Sequence, residues 1–390
     1  MRLDGVRVLD LTRLLPGPYA TQLLADAGAD VVKVEDTDRG DYAREMPPFT
    51  ERNVGAIFDS VNRGKRSAAV DLKSEAGREA FYALVEGVDV VIEQFRPGVV
   101  DRLGVDYETL REHNDDLIYC SLSGYGQTGP YADRAGHDLN YAGLAGLLDM
   151  TREDPDAPPQ VPGYQIADLA GGLFAAFSIV GALASRELGN TSGEYVDVAM
   201  SDVLLSFSQS VAHSALTGGN PRPGETQLTG AVPWYDVYEC ADGRYVTLAA
   251  LEPAFWAAFC EQVGREDLIA EHGTEDPVVR EALGNELDAV FASQPREHWL
   301  ATLDDDTTIG PVNTPAEAVR HPQFEARGIV GHSEDSPPRV GFPATSTAHP
   351  DETDERVPGH GQHTETVLGE AGLSDADLDA LREADAIHCG

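Results

Sequence analysis

Lysine and cysteine are both scarce in this 390-residue sequence. Lysine occurs only at positions 33, 65 and 73, and the other basic residues are arginines. The cysteines are far apart and form no CxxC pair, so we expect neither a disulfide framework nor a zinc site. They are Cys120, Cys240, Cys260 and Cys389. This usage predicts a reducing, cytoplasmic compartment.

Long apolar runs are also lacking. The longest, over residues 170–184, is interrupted by glycines, so we expect no membrane span. The opening MRLDGVRVLDL passes directly into a strand pattern without the apolar centre of a signal peptide. The sequence therefore predicts a globular protein that is not inserted in a membrane.

Positive charge is the third shortage. Lysine and arginine total 28 against 67 acidic residues, which gives a formal net charge of -39. Nucleic acid is excluded as the default partner, since phosphate binding needs the opposite sign. The acidic residues are spread along the chain, which favours a surface adapted to high salt. Binding of basic partners is the alternative, but it would usually require a local acidic block.

Strand and helix patterns alternate through the first part of the chain. Strands are predicted over 6–11, 30–36, 67–72 and 89–95, with helices over 16–29 and 74–88 between them. Ser74 is the expected N-terminal cap of the helix over 74–88. Alternation at this spacing predicts an α/β fold, with helices on both faces of a parallel sheet. A nearly all-apolar helix over 166–187 is predicted to be buried within or between subunits.

Turn-forming residues divide the chain further. The predicted organisation is a large α/β domain over 1–217, a linker over 218–233 and a smaller domain over 234–325. A proline- and glycine-rich connector follows over 326–363, and residues 364–390 are expected to return to the large domain. The smaller domain opens with a hairpin pattern over 234–251, around an Ala-Asp-Gly turn.

Two motifs bear on phosphate binding. GYGQTG (124–129) matches GxGxxG but is followed by Pro130 instead of a helix, so a dinucleotide site is only weakly indicated. Four cations near predicted strand ends could hold an anionic ligand such as a phosphate, or could pair with the abundant carboxylates. These two readings are about equally weighted for the cluster, which comprises Arg63, Lys65, Arg66 and Arg96.

Three further residues are candidates for chemistry. His137 stands beside Asp138 in AGHDLNY, although a lone histidine is more often structural. Asp168 lies at the start of the long apolar helix, where a carboxylate either caps the helix or does chemistry. Glu252, in LEPAFW, is also explained by a position near a helix N-terminus. Sequence spacing alone does not show whether these residues meet in space.

These stretches resemble the family III CoA-transferase superfamily (CaiB/BaiF type), and within it the α-methylacyl-CoA racemases. The similarity runs almost end to end, through VRVLDLTRLLPGPYATQLLADAGADVVKVE, NRGKRS, VIEQFRPGVVDRLGVDYETL, YCSLSGYGQTGPY, AGHDLNY, DLAGG and LEPAFW. The resemblance implies an interlocked homodimer in which each chain has a Rossmann-like large domain and a smaller α+β domain. It also implies a CoA site on the large domain, to which Arg39, Arg63, Lys65, Arg66 and Arg96 contribute.

The resemblance also implies roles at the reacting centre. The position of Asp168 is a nucleophile in the transferases and a proton carrier in the racemases. The racemases pair it with His137 and Glu252, and the backbone N–H of Asp138 donates to the thioester oxygen. The presence of His137 and Glu252, without a glycine-rich loop after residue 250, points to a racemase or epimerase of 2-methylacyl-CoA thioesters. The alternative is a CoA-transferase that uses Asp168 as nucleophile, and a non-catalytic CoA-thioester binding protein is a third reading.

The chemistry of a racemase agrees with these residue types. Inversion at the weakly acidic α-carbon of a thioester needs a base, an acid and stabilisation of an enolate. The apolar surroundings of Asp168 would keep it partly protonated, and Glu252 would orient His137. The expected reaction needs no metal or redox cofactor. CoA enters it as part of the substrate.

Overall fold

The computed structural model describes residues 2–331, 338–348 and 356–390, so part of the predicted connector over 326–363 lies outside the described residues. The strands are β1 (Arg7–Asp10), β2 (Asp30–Glu35), β3 (Arg66–Val70), β4 (Val90–Glu93), β5 (Ile118–Ser123), β6 (Glu194–Ala199), β7 (Tyr235–Glu239), β8 (Tyr245–Ala249), β9 (Ile309–Pro311), β10 (Val330–Gly331), β11 (Arg339–Val340) and β12 (Ile387–His388). The α-helices are α1 (Pro16–Asp26), α2 (Ala56–Val61), α3 (Glu75–Val85), α4 (Val99–Leu103), α5 (Tyr107–Leu110), α6 (Asp138–Leu144), α7 (Ile166–Glu187), α8 (Met200–Ser206), α9 (Gln209–Leu216), α10 (Pro253–Gln262), α11 (Pro277–Phe291), α12 (Arg296–Thr302), α13 (Pro315–Ala318), α14 (Pro322–Ala326), α15 (Thr364–Glu370) and α16 (Asp375–Glu383).

The central sheet has seven strands in the order β12-β3-β2-β1-β4-β5-β6. Every neighbouring pair is parallel except β12 and β3. The order reverses on either side of β1, as in doubly wound α/β folds, where ligands bind beyond the carboxyl ends of the strands. The predicted α/β class is confirmed.

Both faces of this sheet are covered, and the alternation of side chains along β1 shows how. Leu9 is buried in a cluster with Phe81 of α3 and Leu368 of α15. Its neighbour Asp10 accepts a hydrogen bond from Thr21 of α1 on the other face. Because both faces of the sheet are buried, its central strands consist mostly of apolar residues.

Helix α7 has the bounds predicted from its apolar run, and it packs against α1 and β5. The close approach depends on Gly172, where an added Cβ would stand 2.3 Å from the carbonyl oxygen of Pro16. Among the described residues α7 is the one helix that is long and apolar enough to span a membrane. Of its most apolar stretch, 50% is buried inside the protein.

The chain divides into two compact units. The first comprises the described residues of Met1–Ala145, Pro162–Phe207 and Gly328–Gly390, and the second those of Gly146–Val161 and Ser208–Arg327. Residues 146–161 and 208–217, which we had placed in the large domain, therefore belong to the second unit. The return of 364–390 to the first unit is made by α15, which contacts β3, and by β12.

The second unit is built on a three-stranded antiparallel sheet, in the order β7-β8-β9. Strands β7 and β8 form the hairpin that the sequence predicted. Its core contains Trp234, Trp256 and Phe291, whose side chains are at most 2% exposed.

Candidate active site

A cavity of about 1080 Å³ opens at the carboxyl ends of the parallel strands in the first unit. Its walls come from the segments that follow each strand from β1 to β5. They include residues 11–14, 40–42, 70–73, 94–97 and 122–125. This is the edge at which open α/β sheets bind ligands.

His137 lines this cavity at the residue preceding α6. Its side chain is exposed, and its backbone N–H donates to Oδ1 of Asn140 at 3.0 Å. The glycine-rich stretch before it does not open a helix at residue 130, since no helix begins between the end of β5 and Asp138. The GxGxxG match is therefore not a dinucleotide fingerprint.

Asp168 lines the same cavity from the first turn of α7. Burial raises the pKa of its carboxyl to about 7, and the negative charge of Asp138 acts in the same direction. A carboxyl that titrates near neutral pH is suited to both giving and taking a proton. The structure thus brings His137 and Asp168 to one cavity.

Asp138 supplies the helix cap that the sequence suggested for Asp168. Its Oδ1 accepts hydrogen bonds from the backbone N–H groups of Ala167 and Asp168, at 2.6 and 3.1 Å. The capping interpretation of Asp168 is therefore wrong, because the cap comes from a residue thirty positions earlier. Sequence reasoning had considered only the backbone amide of Asp138 for function.

Glu252 belongs to the second unit, where it immediately precedes α10. Its side chain is exposed and makes no capping hydrogen bond. Its predicted position at a helix N-terminus is therefore confirmed, although its side chain does not form a capping hydrogen bond. Its pairing with His137 stays a prediction.

Arg63, Lys65 and Arg66 do not line the cavity. Arg63 and Lys65 precede β3 and Arg66 is its first residue, so all three lie at the amino end of that strand, away from the edge that carries the cavity. Lys65 Nζ is fully buried and donates to Asp10, Thr21, Asn62 and the carbonyl of Pro18. These contacts make Lys65 part of the core, and burial lowers its pKa to about 8.

Arg66 and Arg63 are also held by carboxylates. Arg66 pairs with Asp30 at 2.6 Å and with Glu370 at 2.8 Å. Arg63 lies 3.9 Å from Asp26 and is buried. For these three residues, pairing with carboxylates is what the structure contains.

A different set of cations lines the cavity. All five side chains are exposed there, and none forms an ion pair within the part of the chain that the structure describes. They are Arg13, Lys73, Arg96, Arg102 and Arg134. Of these the sequence analysis had singled out only Arg96. The signal that could have found Lys73 is its position just beyond the carboxyl end of β3, whereas Arg102 lies in α4, the helix that follows β4.

Arg39 lies in the loop after β2 without lining the cavity itself. Its backbone N–H donates to Oδ1 of Asp36, and both Asp36 and Gly40 line the wall. The guanidinium is on an exposed residue. Its assignment to phosphate binding stays a prediction.

The loop that carries Arg13 is fixed by a buried ion pair beneath it. Lys33 and Asp41 are 3.0 Å apart with fully buried side chains, and Lys33 Nζ also donates to the carbonyl of Thr12 at 2.8 Å. Asp41 accepts the backbone N–H of Leu14, which has the left-handed φ of 67°. This network holds an unfavourable backbone conformation next to the cavity.

Tyr141 is a second group that sequence reasoning missed. Its ring is buried, and a Cβ added at Gly124 or Gly136 would stand 2.4 or 2.7 Å from it. Burial raises the pKa of its hydroxyl to about 12, with a further contribution from the charge of Asp168. Two of the glycines around 124–136 thus make room for an aromatic ring in the cavity wall.

Within the residues that the structure describes, no group of three or more His, Cys, Asp or Glu side chains is arranged to hold a metal ion. The arrangement offers an exposed cationic rim, an imidazole and a carboxyl that titrates near pH 7. Such a cavity can bind an anionic ligand and exchange protons with it.

The sequence and structure were compared with known proteins. The model of CoA-transferase family III matches residues 3–364. Succinyl-CoA:mesaconate CoA-transferase of Haloarcula marismortui is 38% identical, covering 95% of this chain and 96% of that protein. Alpha-methylacyl-CoA racemase of Homo sapiens is 33% identical, over 97% and 95%. A CAIB/BAIF family protein from Brucella suis superposes with a TM-score of 0.82 at 34% identity, covering 95% of this chain and 99% of that one.

Proposed function

This chain belongs to CoA-transferase family III, and we propose that it binds an acyl-CoA thioester in the cavity of the first unit. There it inverts the configuration at the α-carbon of the acyl group. The substrate is a 2-methylacyl-CoA, and the reaction is a racemisation or epimerisation. The observation that carries the proposal is that His137 and Asp168 line one cavity while the pKa of Asp168 stands near 7.

The reaction proceeds by two proton transfers. In one direction neutral His137 takes the α-proton, the electron pair moves into the carbonyl to form an enolate, and protonated Asp168 returns a proton to the opposite face. In the reverse direction the Asp168 carboxylate is the base and the imidazolium is the acid. A carboxyl with a pKa near 7 matches this exchange of roles at neutral pH.

Two groups support the intermediate. The backbone N–H of Asp138 donates to the thioester oxygen as the negative charge develops. Glu252 orients the imidazole and favours its charged form. Both roles are assigned from the family resemblance.

The cationic rim holds the phosphates of CoA. Arg13, Lys73, Arg96 and Arg102 are free of carboxylate partners in the described part of the chain, so their charges are available to an anion. Charge-assisted hydrogen bonds from such groups to phosphate are about twice as strong as neutral ones. In this proposal they replace Arg63, Lys65 and Arg66, which carboxylates already neutralise.

The second candidate is a CoA-transferase that moves CoA between carboxylic acids. The specific observation in its favour is that relatives 38% and 37% identical to this chain are named succinyl-CoA:mesaconate CoA-transferases. In that reaction the Asp168 carboxylate attacks the thioester to give an acyl–aspartyl anhydride and CoA thiolate. The thiolate then attacks the aspartyl carbonyl, which gives an aspartyl-CoA thioester and releases the first carboxylate. The acceptor carboxylate attacks this thioester, and CoA thiolate then attacks the acceptor's carbonyl in the new anhydride, which forms the product thioester and regenerates Asp168.

Exchange of the α-proton separates the two candidates. Purified protein at high salt should exchange the α-proton of (S)-2-methylacyl-CoA with deuterated water and lose optical activity. His137→Ala and Asp168→Ala should each reduce the rate by at least about 100-fold. His113→Ala, which removes a ring stacked on Tyr82 outside the cavity, is the matched control and should keep the rate.

The outcome that contradicts a racemase is transfer of CoA to a free carboxylic acid without α-proton exchange. Trapping of an Asp168 adduct by hydroxylamine in the presence of acyl-CoA would then establish the transferase. Neither exchange nor transfer, with binding retained, would point to a CoA-thioester binding protein.

A further inference from the structure

Glu93, at the end of β4, is a buried carboxyl that the proposed reaction does not use. Its residue is 2% exposed. One oxygen, Oε2, accepts the backbone N–H of Phe95 at 2.6 Å, and the other, Oε1, accepts the hydroxyl of Ser121. Within the described residues no lysine or arginine forms an ion pair with it.

The surroundings of Glu93 disfavour its ionised form. Burial raises the pKa of Glu93 to about 7, although the hydrogen bonds from Ser121 and Phe95 favour the carboxylate, and the charges of Asp197 on β6 and Asp101 on α4 add to the rise. The neighbours Tyr119 and Cys120 on β5 and Tyr195 on β6 have raised pKa values, so they stay neutral and add no further negative charge. A protonated carboxyl can accept at one oxygen and donate from the other.

Hydrogen bonds from Glu93 lead to two walls of the cavity. Phe95 and Arg96 lie two and three residues after it in the cavity wall, and the centre of the Phe95 ring lies 5.4 Å from the guanidinium carbon of Arg13. On the other side the hydroxyl of Ser121 accepts the side-chain amide of Gln127 at 2.7 Å, inside the GYGQTG loop. The backbone N–H of Gln127 in turn donates to Asp197 at 3.0 Å.

We propose that Glu93 is a positioning residue that sets the affinity of the cavity for the CoA part of the substrate. It does so because its contacts with Phe95 and with the Ser121–Gln127 pair join the Arg96 loop to the GYGQTG loop. The inference rests on the proposed function, because it assigns these loops to CoA. Ionisation of Glu93 places a second negative charge beside Asp197 without a cation to balance it, and the repulsion between the two carboxylates strains the contacts of Gln127 with Asp197 and Ser121. Binding of CoA therefore weakens as Glu93 loses its proton.

The test is the affinity for CoA, measured by calorimetry from pH 6 to pH 8.5 at constant high salt. Glu93→Gln keeps an acceptor for Phe95 N–H, places an amide donor where the oxygen that accepts the Ser121 hydroxyl stood, as a protonated carboxyl would, and does not titrate. We expect it to bind as the wild type does at pH 6 and about fivefold to tenfold more tightly than the wild type at pH 8.5. Glu93→Met, which removes both hydrogen bonds, should weaken binding about tenfold at every pH, with kcat changed much less than KM.

Asp89→Asn is the matched control, because Asp89 precedes the same strand at its other end and pairs with Arg186. It should show the pH dependence of the wild type, which includes the titration of the CoA phosphates. Equal pH dependence in Glu93→Gln and the wild type would overturn the inference, even if Glu93→Met fails to fold. Absence of CoA binding by the wild type would overturn the proposed function together with it.

Discussion

Asp138 and Asp168 are joined through the backbone of α7, since the carboxylate of Asp138 accepts the N–H of Asp168 itself at 3.1 Å. The residue after His137 thus caps the helix that carries the second proposed proton carrier. The same contact brings a negative charge near Asp168, which contributes to the raised pKa of that carboxyl. The N-terminal cap of α7 and part of the rise in the pKa of Asp168 therefore depend on the side chain of Asp138.

Replacement of Asp138 separates these two effects. Asp138→Asn keeps an oxygen acceptor for the helix N-terminus and removes the charge, so we expect the apparent pKa assigned to Asp168 in the pH profile of α-proton exchange to fall. Asp138→Ala also removes the cap and should cost about 1 kcal/mol of unfolding free energy. An unchanged profile in Asp138→Asn would contradict the electrostatic link.

Asp168 should reduce the stability of the protein at neutral pH. Because its pKa is raised to about 7, the folded state binds a proton more tightly than the unfolded state between about pH 4 and pH 7. Its unfavourable contribution therefore grows as the pH rises through that window and is constant above it. Asp168→Asn should raise the unfolding free energy by about 2 kcal/mol at pH 8 and by much less at pH 4.5.

Denaturant unfolding of Asp168→Asn and wild type at the two pH values, in the same high salt, measures this difference. Other titrating groups, Glu93 among them, are common to both proteins and cancel. A gain of equal size at pH 4.5 and pH 8 would show that the substitution acts through packing and not through the proton.

The cationic rim should act on substrate affinity. Arg96→Ala and Arg102→Ala each remove an exposed charge from the cavity, so we expect KM for the acyl-CoA to rise about tenfold with kcat nearly unchanged. The increase should shrink as salt is raised, because exposed charges are screened. Steady-state kinetics over a salt series provides the measurement.

Arg66→Ala is the control for the rim, since Arg66 pairs with Asp30 and Glu370 outside the cavity. It should leave KM unchanged and cost about 1 kcal/mol of stability or less, as partly exposed ion pairs do. A tenfold rise in KM for Arg66→Ala would return that residue to the CoA site.

The packing of α1 on α7 should depend on Gly172. In Gly172→Ala the new Cβ would meet the carbonyl oxygen of Pro16 at 2.3 Å, so the helices must separate, and we expect a loss of about 2 kcal/mol. Gly181→Ala, on the same helix, meets nothing within 4 Å and should gain up to about 1 kcal/mol from helix propensity. Thermal unfolding of both variants tests the contrast, and equal effects would contradict it.

Apolar periodicity was sufficient to predict most of the fold. The bounds of α7 follow from a nearly all-apolar stretch, and the strands β1 to β4 lie within the predicted stretches or one residue beyond them. The hairpin of β7 and β8 follows from alternation around a turn. These features depend on local sequence, which is why one sequence is enough to predict them.

Interactions between distant segments could not be predicted from the sequence in this way. Lys65 and Lys73 are equally plausible phosphate ligands by composition, but one precedes β3 and is buried against Asp10 while the other follows it into the cavity. Which end of a parallel strand a cation occupies decides its access to the ligand edge. The cap from Asp138 to α7 spans thirty residues and leaves no signature in residue spacing.

The distribution of the three lysines has a practical consequence. Lys33 and Lys65 have fully buried side chains, whereas Lys73 is exposed at the cavity. An amine-directed reagent, or an acyl thioester reacting spontaneously with side-chain amines, therefore finds one accessible ε-amino group in the native protein, at the mouth of the site. Labelling of that group, and its protection by CoA, would report occupancy of the cavity without any engineered probe.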